Sequence, residues 1–221
     1  MECIYCGQLA NTHDHAPPKL LMTRPYPPNM ITVPSCRACN QGASLDEEYF
    51  RILLAHVGTS PGLTSLMQPG GAVDRALSRA TKLANRIDRA LGVSDGGQPY
   101  IQPEVERVHR VLEKTVHGLY VSRYGRNPGP ARFRAVGMYP YTVKEARPAW
   151  LFAAAYTERF RAKRWQILQQ GVFAYAFVRH PCATASLLCL MAFHHDAWGA
   201  VETPVPSTGR RIGQSVQLQH A

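Results

Sequence analysis

Two Cys-x-x-Cys motifs near the start constrain this chain more than any other feature. Cys3 and Cys6 form the first motif, Cys36 and Cys39 form the second, and twenty-nine residues separate them. Such spacing presents four thiolates to one tetrahedral zinc ion. The loop-rich first 44 residues form a small and irregular segment. Such a segment needs an additional source of stability, and zinc binding supplies about 10–16 kcal/mol. Because four thiolates complete the coordination shell, we expect this zinc to be structural, and chemistry must come from other residues.

Other uses of the six cysteines fit less well. A redox Cys-x-x-Cys occurs singly beside a βαβ unit, and none is predicted here. Disulfides would suit a secreted chain, but residues 1–4 show no basic start and apolar stretch, so we expect no secretion. The most apolar segment, 183–193, is too short to span a bilayer. We therefore expect a chain without a membrane segment, in a reducing cytoplasm.

Polar residues with catalytic potential lie between the cysteine motifs and beside them. Asp14-His15 is followed by Pro18-Lys19, Asn29 precedes the β-like stretch 30–33, and Asn40 directly follows Cys39. In order and spacing these elements resemble the HNH endonuclease family, also called the ββα-metal nucleases. The resemblance covers about fifty residues of the chain.

The resemblance implies a role for each of these residues. His15 would be the general base that activates water, which suits an imidazole near neutral pH. Asp14 and Asn40 would hold one catalytic Mg²⁺ or Mn²⁺ through oxygen atoms. Asn29 would tie down the loop that presents His15. The closing residue is Asn40 where the fuller family pattern has His, and this weaker donor puts metal affinity in doubt.

Charge favours a polyanionic partner. The net charge is +10, and residues 1–60 hold four Lys/Arg against five Asp/Glu, so the surplus lies in the remainder. Lys and Arg side chains that neutralise phosphates release counterions, which suits nucleic acid. Five cations recur at helical spacing and form a predicted cationic stripe: Arg75, Arg79, Lys82, Arg86 and Arg89. The stripe and Lys19 are candidate nucleic-acid contacts, although a solvated helix face is the alternative.

Periodicity predicts an α+β fold. Ser44 to Glu47 matches a capping box, which predicts a helix over 44–56. Apolar spacing predicts further helices over 73–91, 104–119 and 149–161, and β-rich segments over 131–138, 165–178 and 186–193. We expect an HNH module at 1–58, a linker at 59–71, a basic α/β domain with two long helices and an antiparallel sheet at 72–203, and a polar tail at 204–221.

The functional expectation is therefore a metal-dependent endonuclease acting on double-stranded DNA. By resemblance, it would leave 3′-hydroxyl and 5′-phosphate ends. One alternative is a non-catalytic zinc-ribbon protein that binds nucleic acid, but such a module has no reason to combine Asp14, His15, Asn29 and Asn40. Another alternative is an RNA-directed nuclease or defence effector. The sequence leaves substrate specificity and oligomeric state open.

Overall fold

The chain begins with a small ββα unit. The computed structural model describes residues 1–93, 95–97, 99–140, 165–180, 183 and 186–206. Strands β1 (Thr12–His15) and β2 (Thr32–Ser35) pair antiparallel, and helix α1 (Arg37–Gly42) follows directly. Alternation along β1 buries Asp14 and exposes His13. The hairpin and α1 therefore bring the two cysteine motifs and the residues between them together.

Five more helices follow in the described residues: α2 (Ser44–Val57), α3 (Pro61–Met67), α4 (Ala72–Arg79), α5 (Thr81–Ala90) and α6 (Val105–Tyr124). A short hairpin, β3 (Leu91–Val93) with β4 (Pro99–Ile101), separates α5 from α6. Helix α6 ends at Gly125, whose left-handed conformation is one that glycine adopts without strain. None of the described helices is long and apolar enough to cross a membrane.

Helix α2 confirms the predicted helix over 44–56, but the capping box does not form. Ser44 is the first helical residue, Ala43 occupies the N-cap, and no side chain caps the helix. The Glu47 carboxylate binds Lys114 of α6 and does not reach back to the N-terminal amides. Its ion pair with a buried cation therefore replaces the local hydrogen bond that the sequence motif predicts.

The single helix predicted over 73–91 is wrong. The chain forms α4 and α5, and Ala80 between them adopts a non-helical conformation with φ −128° and ψ 82°. Both helices bury one apolar side, including Val73 of α4 and Ile87 of α5. The break lets each short helix turn its apolar side to the core. The apolar spacing in the sequence does not indicate this break.

A five-stranded antiparallel sheet forms the second half of the structure. Its spatial order is β5-β9-β8-β7-β6, with β5 (Arg134–Pro140), β6 (Gln166–Gln169), β7 (Phe173–Arg179), β8 (Ser186–Phe193) and β9 (Ala197–Pro204). The predicted segment 165–178 is a hairpin of two strands that turns at Gly171, where φ is +73°. Strand β8 confirms the prediction over 186–193.

One hydrophobic core joins the N-terminal unit to the sheet. It contains Ala16 and Leu21, the inner side of α2, the apolar side of α6, and sheet residues such as Phe173 and Phe193. Helix α6 lies very close to the hairpin, because a Cβ atom added to Gly118 would approach the Ala16 Cβ to 2.6 Å. The α6 helix is therefore the element that positions the ββα unit against the rest of the fold.

Three further predictions concern the linker, the helix over 149–161 and the polar tail. The expected linker at 59–71 contains α3, whose Leu63 is buried in the core. The helix predicted over 149–161 lies outside the described residues, as does most of the polar tail, from 207 to 221.

Candidate functional site

The four cysteines of the two motifs form a metal-binding group. All four Sγ atoms lie within 4.8 Å of one another, and the Sγ atoms of Cys6 and Cys36 are 3.7 Å apart. Zinc–sulfur bonds of about 2.3 Å in a tetrahedron require sulfur separations of about 3.8 Å. Cys3, Cys6, Cys36 and Cys39 could therefore hold a metal ion such as zinc.

The electrostatics of this group also suit a cation. Burial raises the pKa of the Cys3 thiol, but backbone hydrogen bonds from Cys36, Tyr5 and Cys6 outweigh that effect and lower the pKa to about 6. The pKa of Cys39 is raised by burial and by the neighbouring thiols. Four thiolates at this separation repel one another, so a bound cation is the condition under which all four ionise together.

Asp14 is the most tightly held residue of the Asp-His dyad. Its side chain is buried, Oδ1 accepts a hydrogen bond of 2.8 Å from the backbone N–H of His15, and Oδ2 lies 2.8 Å from Lys114 Nζ. Burial raises the pKa of the Tyr5 hydroxyl, and the Asp14 carboxylate is close enough to raise it further. Because Tyr5 lies between Cys3 and Cys6, the cysteine group and the dyad are close to each other in the fold.

His15 is partly exposed and faces an open cleft. Burial lowers the pKa of its imidazole, and the positive charge of Lys19 acts in the same direction against the Asp14 carboxylate. A lowered pKa keeps the ring neutral at pH 7, which is the form that can accept a proton. The environment of His15 therefore suits a general base.

Asn40 is carried to the dyad by helix α1. Its Nδ2 donates hydrogen bonds to Thr12 Oγ1 at 3.3 Å and to the His13 carbonyl at 3.1 Å. Both acceptors belong to β1, so Asn40 ties the helix to the strand that carries the dyad. With Nδ2 engaged, Oδ1 is the atom of Asn40 that could contact a cation.

These residues line one large cleft. Its volume is about 1020 Å³, and Asp14, His15 and Asn40 all contribute to its wall together with Lys19 and Glu47. Asp14 and Asn40 are distant in sequence and are brought together by the β1–β2–α1 arrangement. A carboxylate, an imidazole and an amide in the wall of one cleft are among the groups that metal-assisted hydrolysis uses.

Asn29 is not brought to the cleft. It is exposed in a turn before β2, and within the described residues its side chain forms no hydrogen bond. A different residue anchors the loop after the dyad: Gln169 of β6 accepts from the Thr23 N–H at 3.0 Å and donates to the Thr23 carbonyl at 2.8 Å. Sequence spacing gave no signal for Gln169, because it lies in the distant sheet.

The predicted cationic stripe does not lie along one helix, because its residues are divided between α4 and α5. Arg75 of α4 lines the cleft, as does Lys19, whereas Arg79, Lys82, Arg86 and Arg89 are absent from its lining. Arg86 is also bound to the Glu104 carboxylate, at 2.8 Å and 3.0 Å. Much of the Arg86 charge is thereby neutralised.

The sequence did not predict that Lys114 and Glu47 form a buried ion cluster with Asp14. Lys114 Nζ lies 2.8 Å from Asp14 and 2.7 Å from Glu47, and all three side chains are largely buried. The sequence indicates this contact only through the spacing of three cations on one side of α6: Arg107, Arg110 and Lys114. These cations bind the acidic first turn of α2. That match becomes recognisable only once α2 and α6 are known to pack together.

The triplet 194–196, which resembles a metal-binding sequence, is the turn between β8 and β9. Asp196 accepts hydrogen bonds of 2.9 Å from Thr59 Oγ1 and the Ser60 N–H, so it fixes the start of α3. His194 lines the cleft and contacts the Leu21 carbonyl. In the described part of the chain, the four cysteines are the only set of three or more His, Cys, Asp or Glu residues arranged around one possible ion.

Comparisons of the chain with protein-family models, with curated proteins and with solved structures find no match. The geometry of the site therefore carries the functional argument.

Proposed function

We propose that this protein is a metal-dependent endonuclease of the HNH type, which hydrolyses phosphodiester bonds in DNA. The observation that supports the proposal most is the joint placement of Asp14, His15 and Asn40 around one cleft by a ββα unit that also gathers four cysteines. A zinc-ribbon binding module would need the cysteines alone. A cleft with these three side chains is what hydrolysis requires in addition.

In the proposed reaction, water attacks the phosphorus atom of a phosphodiester and the bond to the 3′-oxygen breaks. His15 takes the proton of the attacking water, and solvent protonates the leaving oxygen, which gives 3′-hydroxyl and 5′-phosphate ends. The half-buried, neutral imidazole of His15 suits this role. The backbone N–H of His15 donates to Asp14, which fixes the dyad relative to the cleft.

Asp14 and Asn40 would hold the catalytic ion, for which Mg²⁺ or Mn²⁺ is the proposed metal. One carboxylate and one amide oxygen suit a hard cation that keeps several water ligands. Such an ion stabilises the charge that develops on the phosphate and the leaving oxygen. Lys114 already lies 2.8 Å from Asp14, and its positive charge opposes a second cation there. We therefore expect weak binding of the divalent ion.

The test is a cleavage assay on purified, zinc-loaded protein with supercoiled plasmid, linear duplex DNA, single-stranded DNA and RNA. We expect cleavage of DNA with added Mg²⁺ or Mn²⁺, and loss of cleavage on brief EDTA treatment while zinc remains bound. The two sites differ in ligand type, because thiolates retain zinc far more strongly than two oxygen donors retain Mg²⁺.

The Asn40→Ala variant tests the proposed ion site separately. Loss of one neutral ligand should raise the metal concentration needed for half-maximal cleavage before it lowers the maximal rate. Binding of nucleic acid without cleavage of any substrate, by folded protein with its zinc, would support the binding-module alternative. Cleavage of RNA alone would redirect the proposal to an RNA-directed nuclease.

A further inference from the structure

The cleft has a strongly cationic wall beyond the dyad. Four basic side chains line it: Lys19, Arg24, Arg51 and Arg75. Among the described residues, the carboxylates that line it are Asp14 and Glu47, and both already bind Lys114. The accessible charge in the cleft is therefore predominantly positive, which favours an anionic occupant.

Arg51 is an unusual member of this wall. Its side chain is only 15% exposed, and its single ion pair within the described residues joins a terminal nitrogen to Glu48 of the same helix at 3.2 Å. The Nε atom is buried and has no hydrogen-bond partner. A buried, unpaired guanidinium nitrogen is costly, so its retention beside a cleft suggests that a ligand contacts this side chain.

Arg75 brings a second guanidinium to the same cleft. Burial lowers the pKa of Arg51, and the positive charge of Arg75 acts in the same direction. Arg75 is exposed and donates to the Gly70 carbonyl at the start of α4. Two guanidinium groups from different helices, α2 and α4, thus line one cleft in which the described carboxylates both bind Lys114.

Tyr26 contacts the other two cations of the cleft, Lys19 and Arg24. The Tyr26 ring lies 5.2 Å from the Arg24 guanidinium and 5.7 Å from Lys19 Nζ, both within cation–π range. Lys19 and Arg24 therefore share one aromatic contact in the cleft that Arg51 and Arg75 also line. An extended polyanion would meet positive charge over more than one phosphate.

We propose that Arg51 and Arg75 form a phosphate-binding subsite that holds a backbone phosphate of the nucleic acid adjacent to the one cleaved. Guanidinium groups suit this role because their planar N–H donors match phosphate oxygens. The inference rests on the proposed nuclease function and specifies the path of its substrate. The strand runs through the cleft, and the α5 members of the predicted stripe take no part.

The experiment measures DNA binding by fluorescence anisotropy, with a short fluorescein-labelled duplex and EDTA present to prevent cleavage. Affinity is measured over a series of salt concentrations for wild type, Arg75→Gln and Arg51→Gln. Each lost phosphate contact should weaken binding and reduce the slope of log affinity against log salt by about 0.9. Arg79→Gln is the matched control, because Arg79 is an exposed cation on the same helix as Arg75 but outside the cleft.

Arg75→Gln is the deciding variant, because Arg75 is exposed and its loss should leave the melting temperature unchanged. An unchanged slope in this variant, or an equal reduction in Arg79→Gln, would overturn the subsite. The outcome is separable from the proposed function. If replacing His15 abolishes cleavage but replacing Arg75 leaves the slope of log affinity against log salt unchanged, the nuclease proposal stands and only the proposed substrate path is wrong.

Discussion

Replacing Lys114 by Met should destabilise the protein strongly. Lys114 Nζ is shared between Asp14 and Glu47, at 2.8 Å and 2.7 Å, and side-chain exposure is 12% for the lysine, 7% for Asp14 and 10% for Glu47. Methionine preserves the length and the apolar stem of the side chain. It removes the one cation that, in the described part of the chain, contacts both buried carboxylates, so the two negative charges would face each other without this partner.

The expected size follows from that burial. Breaking a buried ion pair by removing one partner costs about 3–5 kcal/mol, because the remaining charge is left desolvated. For a chain of this length, 1 kcal/mol changes the melting temperature by about 2–4 °C, so the expected decrease is roughly 6–20 °C. Burial already raises the pKa of Glu47. Protonation can therefore relieve part of the repulsion, and the deficit should shrink as the pH falls toward that pKa.

The assay is thermal unfolding of Lys114→Met beside a matched control, Arg86→Met. Arg86 also binds a carboxylate, Glu104, but these two side chains are 37% and 41% exposed. An exposed pair contributes at most about 1 kcal/mol, so the control should change the melting temperature by only a few degrees. If Asp14 binds a divalent ion as proposed, added Mg²⁺ or Mn²⁺ should restore part of the stability of Lys114→Met, and none in the control.

Equal decreases for the two variants would refute the argument that burial makes the Lys114 pair special. A Lys114→Met variant as stable as wild type at pH 7 would refute it more directly, because the two carboxylates would then have to tolerate each other unpaired.

Three further predictions concern the cysteine group, the dyad and the core. Cys36→Ser should lower bound zinc, measured by atomic absorption, and the melting temperature together, because the tetrahedral thiolate shell is opened. The cleavage rate should decrease on the acid side of its pH profile with a midpoint below the ordinary histidine pKa of about 6.5, because burial lowers the pKa of His15. A midpoint above that value would contradict the assignment. Gly118→Ala should cost about 1–3 kcal/mol in denaturant unfolding, because the added Cβ would lie 2.6 Å from that of Ala16. Gly42→Ala, where an added Cβ meets nothing within 4 Å, should show no such loss.

Features set by local sequence were largely predictable. The cysteine spacing predicted one metal-binding group, and apolar periodicity predicted α6, because this helix buries one regularly spaced side. A capping-box match predicted α2, and the β-rich segment 186–193 predicted β8. The break at Ala80 had no proline or glycine to mark it. Strand β9 (Ala197–Pro204) was missed because its small residues have low β propensity. Their smallness lets the strand pack closely, since a Cβ on Gly199 would lie 2.9 Å from Leu112.

Non-local contacts at the site could not be predicted in the same way. Asp14, His15 and Asn40 were recognisable because their order along the chain carries the family resemblance. Lys114 reaches Asp14 only through the packing of α6 on the ββα unit, and Arg51 and Arg75 line one cleft only because the fold brings α2 and α4 to it. The sequence explained Glu47 as a residue that caps its own helix. In the structure Glu47 binds the distant Lys114 instead, because a buried carboxylate is stabilised more by a cation than by a backbone amide at the helix end.

The central claim is that His15 is the general base of a metal-dependent nuclease, and one comparison tests it most directly. The cleavage rate of supercoiled plasmid is measured for His15→Ala and for His13→Ala, its exposed neighbour on β1, with zinc content and melting temperature matched to wild type. We predict a loss of roughly 10²–10⁴-fold for His15→Ala. His13→Ala should remain within a few-fold of wild type, because Asn40 contacts only the backbone carbonyl of His13. Near wild-type cleavage by folded, zinc-loaded His15→Ala would contradict the account.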